Sequence, residues 1–338
     1  MKQAIMTAPG RIEVREADAP TPRAGEVLLR VKRIGVCGSD IHVWHGKHPY
    51  TSYPVVQGHE YSAEVEAVGD GVEGLTPGDK VTSLPQVVCG ECVPCRRGDY
   101  HICDHLKVEG FQAPGCAQEL FVTAAAKVVK LPDDFTFEQG ALVEPAAVAV
   151  HAVSRAPELA GRNVAVLGAG PIGNLVAQVA RARGANVLIT DLSAFRLDVA
   201  GQCGIAHTSN ANDEDLSSAC GRAFAGDDLD VVFECVGVEA TLTAAIDVIG
   251  KGGTLIVVGV FGEKPRVDVG LVQDRELTLR GTLMYQRPDY EEAVRLIAAG
   301  KIATSPLDSK HFALDDYAEA YAFIDANRER SMKVFIDL

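Results

Sequence analysis

Apolar runs in this chain are short, and none reaches the roughly 18 residues that a membrane span needs. The best candidate, ALVEPAAVAVHAV, is interrupted by Glu144. The first residues, MKQAIMTAPGRIEV, lack the charged-then-apolar pattern of a secretory leader. The expectation is therefore no membrane partner and a cytoplasmic location. Positive charge is scarce too: 32 Lys and Arg face 46 Asp and Glu, a formal net charge of −14. Phosphates would be repelled over most of such a surface, so nucleic acid is not an expected partner. Neither a G-x-x-x-x-G-K-[ST] phosphate loop nor a G-x-S-x-G elbow occurs, which removes two common catalytic frameworks. Internal repeats, low-complexity tracts and long linkers are also missing. What remains is a chain of 338 residues, 47% of them hydrophobic, enough to bury a core in about two domains.

Cysteine is sparse, with nine in all, yet Cys89, Cys92, Cys95 and Cys103 fall in one stretch, CGECVPCRRGDYHIC. The spacing C-x2-C-x2-C-x7-C lets successive thiolates converge on one ion, and four soft sulfur ligands in a tetrahedron suit zinc. The usual bacterial iron–sulfur run closes with C-x3-C-P, which is absent, and a redox C-x-x-C needs only two of the four. Four protein sulfurs leave no open position, so this metal is expected to brace a loop and to leave substrate alone.

The first 145 or so residues read as short strands punctuated by Gly and Pro turns, as in GEVLLRVKRIGV and EYSAEVEAVGDGVEGLTPGDKV. From Asn163 the texture changes. The strand NVAVLG, the helix NLVAQVARARG and the strand NVLITD are followed by LDVVFECVG, ATLTAAIDVIGKGG and TLIVVGV. Such alternation predicts a doubly wound parallel sheet. The tail from about Tyr285 carries two amphipathic helices and a last strand, MKVFIDL. That strand needs partners the nucleotide sheet does not supply, so the tail is expected to return to the β-rich part.

Gly168, Gly170 and Gly173 in VLGAGPIGNLV follow a strand and open a helix, the context that G-x-G-x-x-G requires to bind a pyrophosphate. Asp191 ends the next strand, where a carboxylate can take the ribose hydroxyls. A dinucleotide site is expected here. A second ligand set lies earlier: Cys37, Ser39, Asp40 and His42 in GVCGSDIH, His59 and Glu60 in GHE, and Glu144 before Pro145. A Cys, a His and a carboxylate suit a catalytic zinc that keeps one position open. Each also has a plain structural reading: Cys37 as a core thiol, His59 as a turn residue, and Glu144 as a charge at a helix start. Spacing alone leaves the two readings level.

Taken in order, GVCGSDIH, GHE, the four-cysteine loop, EP and GAGPIG…D resemble the zinc-dependent medium-chain alcohol dehydrogenases over essentially the whole chain. Glu144 before Pro145, with no cysteine there, is similar to the polyol and threonine dehydrogenase branches. The resemblance implies an α/β protein: a GroES-like catalytic domain over 1–147, a Rossmann NAD-binding domain over 148–284, and a return to the catalytic domain over 285–338. It implies two zinc ions per chain, NAD, and a small-molecule alcohol as substrate, in a homo-oligomer (tetramer or dimer). By the same resemblance Cys37 and His59 bind the catalytic zinc, and Glu60 and Glu144 approach it directly or through water. Asp40 orients His59, while Ser39 and His42 pass the proton released when hydride goes to NAD. Pro171, Ile172, Arg196, Val258, Gly259, Val260, Leu283 and Met284 join the glycines and Asp191 around the cofactor. Trp44, Tyr50 and Tyr285 are the expected walls of the substrate pocket. Two departures stand out: Ala63 where the family usually has Gly after GHE, and Met284–Tyr285 where sorbitol-type enzymes carry Arg–Tyr.

Overall fold

The computed structural model describes residues 1–338 and divides them into two compact units. The first comprises Met1–Glu144, Gln286–Ala298 and Asp308–Leu338; the second comprises Pro145–Tyr285 and Ala299–Leu307.

The first unit is built on a seven-stranded sheet. Its central strand, Glu26–Gly35, pairs antiparallel with Glu60–Val68, with Leu120–Ala124 and with the last strand, Lys333–Asp337. Val27, Leu29 and Val31 recur at the two-residue strand period and are buried together with Ile34, Val65, Val81 and Ile336. Ala63 lies between Val31 and Val81 with no exposed surface, so the core accommodates a methyl group where the family usually has none. The last strand is completed on its other side by Asp308–Ala313, a parallel partner that its mixed polar sequence, DSKHFA, does not announce.

The second unit holds a six-stranded parallel sheet in the order His207–Asn210, Asn186–Asp191, Asn163–Leu167, Val231–Glu234, Thr254–Val257, Thr278–Gly281. Every residue of Asn163–Leu167 is buried, as a strand covered on both faces requires. Chain order reverses between this strand and Val231–Glu234. In doubly wound sheets, ligands bind outside the carboxyl ends of the strands at such a switch point.

The expected boundaries need correction at two places. The first unit ends at Glu144 rather than at 147, inside the helix Val143–Ser154. The tail also does not return whole to the first unit, because Tyr285 and Ala299–Leu307 group with the second. The reason is local. Buried Gln178 accepts from the Ala303 N–H at 2.6 Å and donates to its carbonyl at 3.3 Å, and Arg181 donates to the Lys301 carbonyl at 3.3 Å. Polar groups on the helix Pro171–Ala182 thus find their partners in that segment. No helix is long and apolar enough to cross a membrane.

Candidate metal and dinucleotide sites

The four-cysteine stretch folds back on itself so that Cys89, Cys92, Cys95 and Cys103 bring their sulfurs within 4.8 Å of one another. Cys89 and Cys103 sulfurs are 3.6 Å apart, and those of Cys92 and Cys103 are 3.8 Å apart. Disulfides are far shorter, at about 2 Å. Sulfurs arranged tetrahedrally about one ion at about 2.3 Å would be ~3.8 Å apart. Backbone N–H groups of Cys92, Cys89 and His105 point at Cys89 and Cys103 sulfurs from 3.3–3.4 Å, as suits thiolates. The donor set therefore fits a closed zinc site. The lobe is tied to the returning segment by Gln286, which bonds the Gly98 carbonyl and His101, and by the Arg287 N–H on the Tyr100 hydroxyl.

The second cluster is brought together from two segments. Cys37 caps the short helix Gly38–Trp44, and Asp40 on its first turn accepts the Cys37 N–H at 2.9 Å. His59 and Glu60 enter from the start of the strand Glu60–Val68. Donor atoms of Cys37, His59 and Glu60 all lie within 4.8 Å of one another, with His59 and Glu60 buried. His59 Nδ1 makes no hydrogen bond; it faces Asp40 Oδ1 at 3.6 Å. Burial pushes the His59 imidazole down in pKa, but Asp40, Cys37 and Glu144 outweigh it and hold it well above its ordinary value. A pocket with this surplus of anionic groups favours a cation, and thiol, imidazole and carboxylate are ligands zinc accepts. Zinc fits here also.

Glu144 stands apart from that trio. It is buried on the first turn of the helix Val143–Ser154, near enough to bear on His59 and Lys333 but outside the group of three. Lys333 is a residue that sequence reasoning missed. Its ammonium, almost wholly buried, sits 2.5 Å from Glu60 Oε2 and 3.3 Å from the Val36 carbonyl. Stranding either charge of such a pair typically costs about 3–5 kcal/mol. The available signal was a lysine opening a final strand whose next three residues, Val334, Phe335 and Ile336, are apolar. Ser39 and His42 lie three apart on one helix, on neighbouring positions of its surface, with His42 exposed.

In the second unit, Gly168 closes the strand Asn163–Leu167 with φ +97°, and a Cβ on Gly173 would stand 1.8 Å from the Gly168 carbonyl oxygen. Only glycine allows that approach. Gly170 caps the helix Pro171–Ala182; Pro171 has no N–H of its own, and the first-turn N–H groups of Ile172 and Gly173 are the ones a helix start leaves open to an anion. Asp191 accepts from the Ala169 N–H at 2.7 Å and the Ser193 N–H at 2.8 Å, with Arg196 Nη1 at 3.8 Å. One carboxylate thus registers the glycine turn against the end of the second strand.

Glu234 does the same for the other side and was also missed. Fully buried at the end of its strand, its carboxylate accepts from the N–H groups of Val236 and Gly237 and from the Thr241 hydroxyl. Its carbonyl accepts from the N–H groups of Val258 and Gly259 at 2.8 Å. Val260 and Leu283 are 86% and 53% exposed, and Met284 holds φ +52°.

The expected pocket aromatics fare differently. Tyr50 is 77% exposed, but Trp44 packs on Tyr321 with ring centroids 5.3 Å apart, and Tyr285 has no exposed surface. Trp44 is partly buried in that contact and Tyr285 wholly buried, each within its own unit.

Comparison with known proteins matches the chain to zinc-binding dehydrogenases. The family described as an alcohol dehydrogenase GroES-like domain matches residues 23–133, and the zinc-binding dehydrogenase family matches 171–299. The 2-dehydro-3-deoxy-L-galactonate 5-dehydrogenase of Pseudoalteromonas atlantica is 38% identical over 96% of this chain and 95% of its own length. Sorbitol dehydrogenase of Halalkalibacterium halodurans is 33% identical over 92% of each chain. The crystal structure of galactitol-1-phosphate dehydrogenase from Escherichia coli superposes with a TM-score of 0.92 at 30% identity, covering 100% of both chains. With whole-length relatives at this identity, on a fold that carries a sulfur lobe, a Cys–His–Glu cluster and a dinucleotide turn, the chain belongs to the zinc-dependent medium-chain alcohol dehydrogenase family, in its polyol dehydrogenase branch.

Proposed function

We propose that the protein oxidises a secondary alcohol of a polyol or a sugar-derived compound to the ketone, passing hydride to NAD. The observation that carries this reading is the convergence of Cys37, His59 and Glu60 donor atoms within 4.8 Å. Cys37 and His59 would hold the catalytic zinc, with Glu60, engaged by Lys333, and Glu144 as the neighbouring carboxylates. Zinc bound there supplies Lewis acidity that makes an alcohol hydroxyl more acidic. Ser39 and His42 then have the residue types and the helical spacing to take that proton outward to solvent. Cys89, Cys92, Cys95 and Cys103 would hold the structural ion.

The substrate is tested by a panel of polyols, aldonic acids, vicinal diols and threonine, followed by NADH formation. Turnover confined to polyols or sugar acids is expected. Turnover of threonine alone, or of nothing in zinc-loaded protein, would overturn the reading. Between polyol and sugar acid, the sequence departure at Met284 and the similarity to a 2-dehydro-3-deoxy-L-galactonate 5-dehydrogenase at 38% identity favour the sugar acid over sorbitol.

NAD over NADP follows from Asp191. The extra phosphate of NADP would meet a carboxylate already held toward the glycine turn by the Ala169 N–H. Two unit charges 4 Å apart repel by about 4 kcal/mol at an effective dielectric of 20. Screening, together with Arg196 at 3.8 Å, leaves ~1.4–3 kcal/mol, a tenfold to hundredfold preference. Asp191→Ser is expected to narrow the ratio of kcat/KM values. An unchanged ratio in the variant would contradict the assignment.

Two coarser expectations also belong here. Clustered thiols remain available to metal in a reducing compartment, which supports the cytoplasm; targeting of a tagged chain elsewhere would refute it. The strand Thr278–Gly281 ends its sheet with an exposed edge that carries Leu279 and is followed by exposed Leu283. Such edges invite pairing, which supports a homo-oligomer over a monomer. Sedimentation as a monomer at micromolar concentration would exclude it.

A further inference from the structure

Behind the ligand cluster runs a buried chain of side chains that ends on the C-terminal helix Tyr317–Ala326. Asp40 uses its two oxygens differently. Oδ2 accepts the Cys37 N–H at 2.9 Å, while Oδ1 faces His59 Nδ1 at 3.6 Å and Gln57 Nε2 at 3.3 Å. The Gln57 amide is oriented by this contact, since a carboxylate takes a donor and so faces the NH2 group. Its oxygen is left for the Tyr321 hydroxyl, which donates to it at 2.7 Å. Asp40 and Tyr321 have no exposed surface, and Gln57 has 2%. Bulk water cannot replace a lost partner at such positions. Tyr321 is itself clamped between rings, with Trp44 at 5.3 Å and Tyr317 stacked at 5.6 Å.

The consequence is geometric. Gln57 precedes His59 by two residues, and Cys37 is bonded to the other oxygen of the same carboxylate. One carboxylate therefore registers both ligand-bearing segments, and its rotation about its own side chain is limited by what it bonds at Oδ1. The 3.6 Å separation from His59 is too long for a hydrogen bond. Gln57 is thus the donor that holds Oδ1 in place, and Tyr321 is the donor that holds Gln57.

We infer that Gln57 and Tyr321 are positioning residues for the metal centre, keeping Asp40 Oδ1 aimed at the His59 imidazole and so slowing loss of the ion that His59 holds. The inference rests on the proposed role of His59 as a ligand. Outer partners of metal ligands typically change metal affinity 10–100-fold when removed, with the largest effects nearest the ion. One and two side chains beyond Asp40, smaller effects are expected.

The test is zinc release from the full-length, zinc-loaded protein to a coloured chelator. The wild type is expected to release two equivalents in two phases, and Cys89→Ser identifies the phase of the sulfur lobe. Gln57→Leu is expected to speed the other phase about tenfold and Tyr321→Phe about threefold, with the lobe phase unchanged. Tyr290→Phe serves as the control, since it removes an equally buried hydroxyl that bonds the Ser83 carbonyl at 3.2 Å, outside the chain. It should move neither phase. Unchanged release in both variants, acceleration of both phases together, or an equal effect of Tyr290→Phe would overturn the inference while leaving His59 as a ligand. A wild type that releases a single equivalent would instead overturn the ligand assignment itself.

Discussion

Cys37→Ser is expected to lower kcat/KM by about a thousandfold while the protein stays folded and keeps one zinc of two. The thiol lies within the cluster formed with His59 and Glu60, and serine is a poor substitute for a thiolate ligand. Loss of Lewis acidity removes several kcal/mol of charge stabilisation from the reaction, and ~4 kcal/mol corresponds to about three powers of ten in rate. The fold should survive. Cys37 is half-buried at the cap of a seven-residue helix, and Asp40 still receives the backbone N–H of residue 37 on its Oδ2. Metal analysis, melting temperature and steady-state kinetics on one preparation decide the matter. A variant with two zinc ions and near wild-type turnover would refute the catalytic site.

Cys89→Ser is expected to act the other way, on stability more than on chemistry. Its sulfur receives the Cys92 N–H and lies 3.6 Å from that of Cys103, so its loss opens a closed four-sulfur site. Metal binding at such sites is folding free energy, about 10–16 kcal/mol in the small domains that depend on it entirely. Here the lobe is also held by Gln286 and Arg287 on the segment Gln286–Ala298, so only part of that energy is at stake. A loss of about 4 kcal/mol would lower the melting temperature by about 8–16 °C in a unit of this size. The folded fraction should retain kcat within about threefold, because no group of the lobe belongs to the Cys37–His59–Glu60 cluster. An unchanged melting temperature together with abolished kcat would reverse the two assignments.

Much of the protein was legible as local pattern. The two-residue period of Val27, Leu29 and Val31 corresponds to a buried strand face. The glycine turn needs residues without a Cβ wherever Gly168 and Gly173 nearly touch, so the requirement is written in the sequence itself. The four cysteines lie so close in the chain that no other folding is needed to bring their sulfurs together. In each case the interaction is between residues a few positions apart, and spacing is a sufficient description.

The rest depended on contacts between residues far apart in the chain. Lys333 reaches Glu60 across 273 positions, and Tyr321 reaches Gln57 across 264. Nothing in the neighbourhood of either residue announces its partner. Only the folded chain sets Trp44 against Tyr321 and leaves Tyr285 without exposed surface. The segment Ala299–Leu307 went to the second unit because Gln178 and Arg181 required partners. By itself, then, the amino-acid order determined the family, the two-unit α/β architecture, the sulfur lobe and the dinucleotide turn, all carried by short-range spacing and glycine sterics. Only the tertiary structure decided which buried polar groups surround the metal ligands, because a charge or hydroxyl removed from water must find its partner wherever the folded chain brings one.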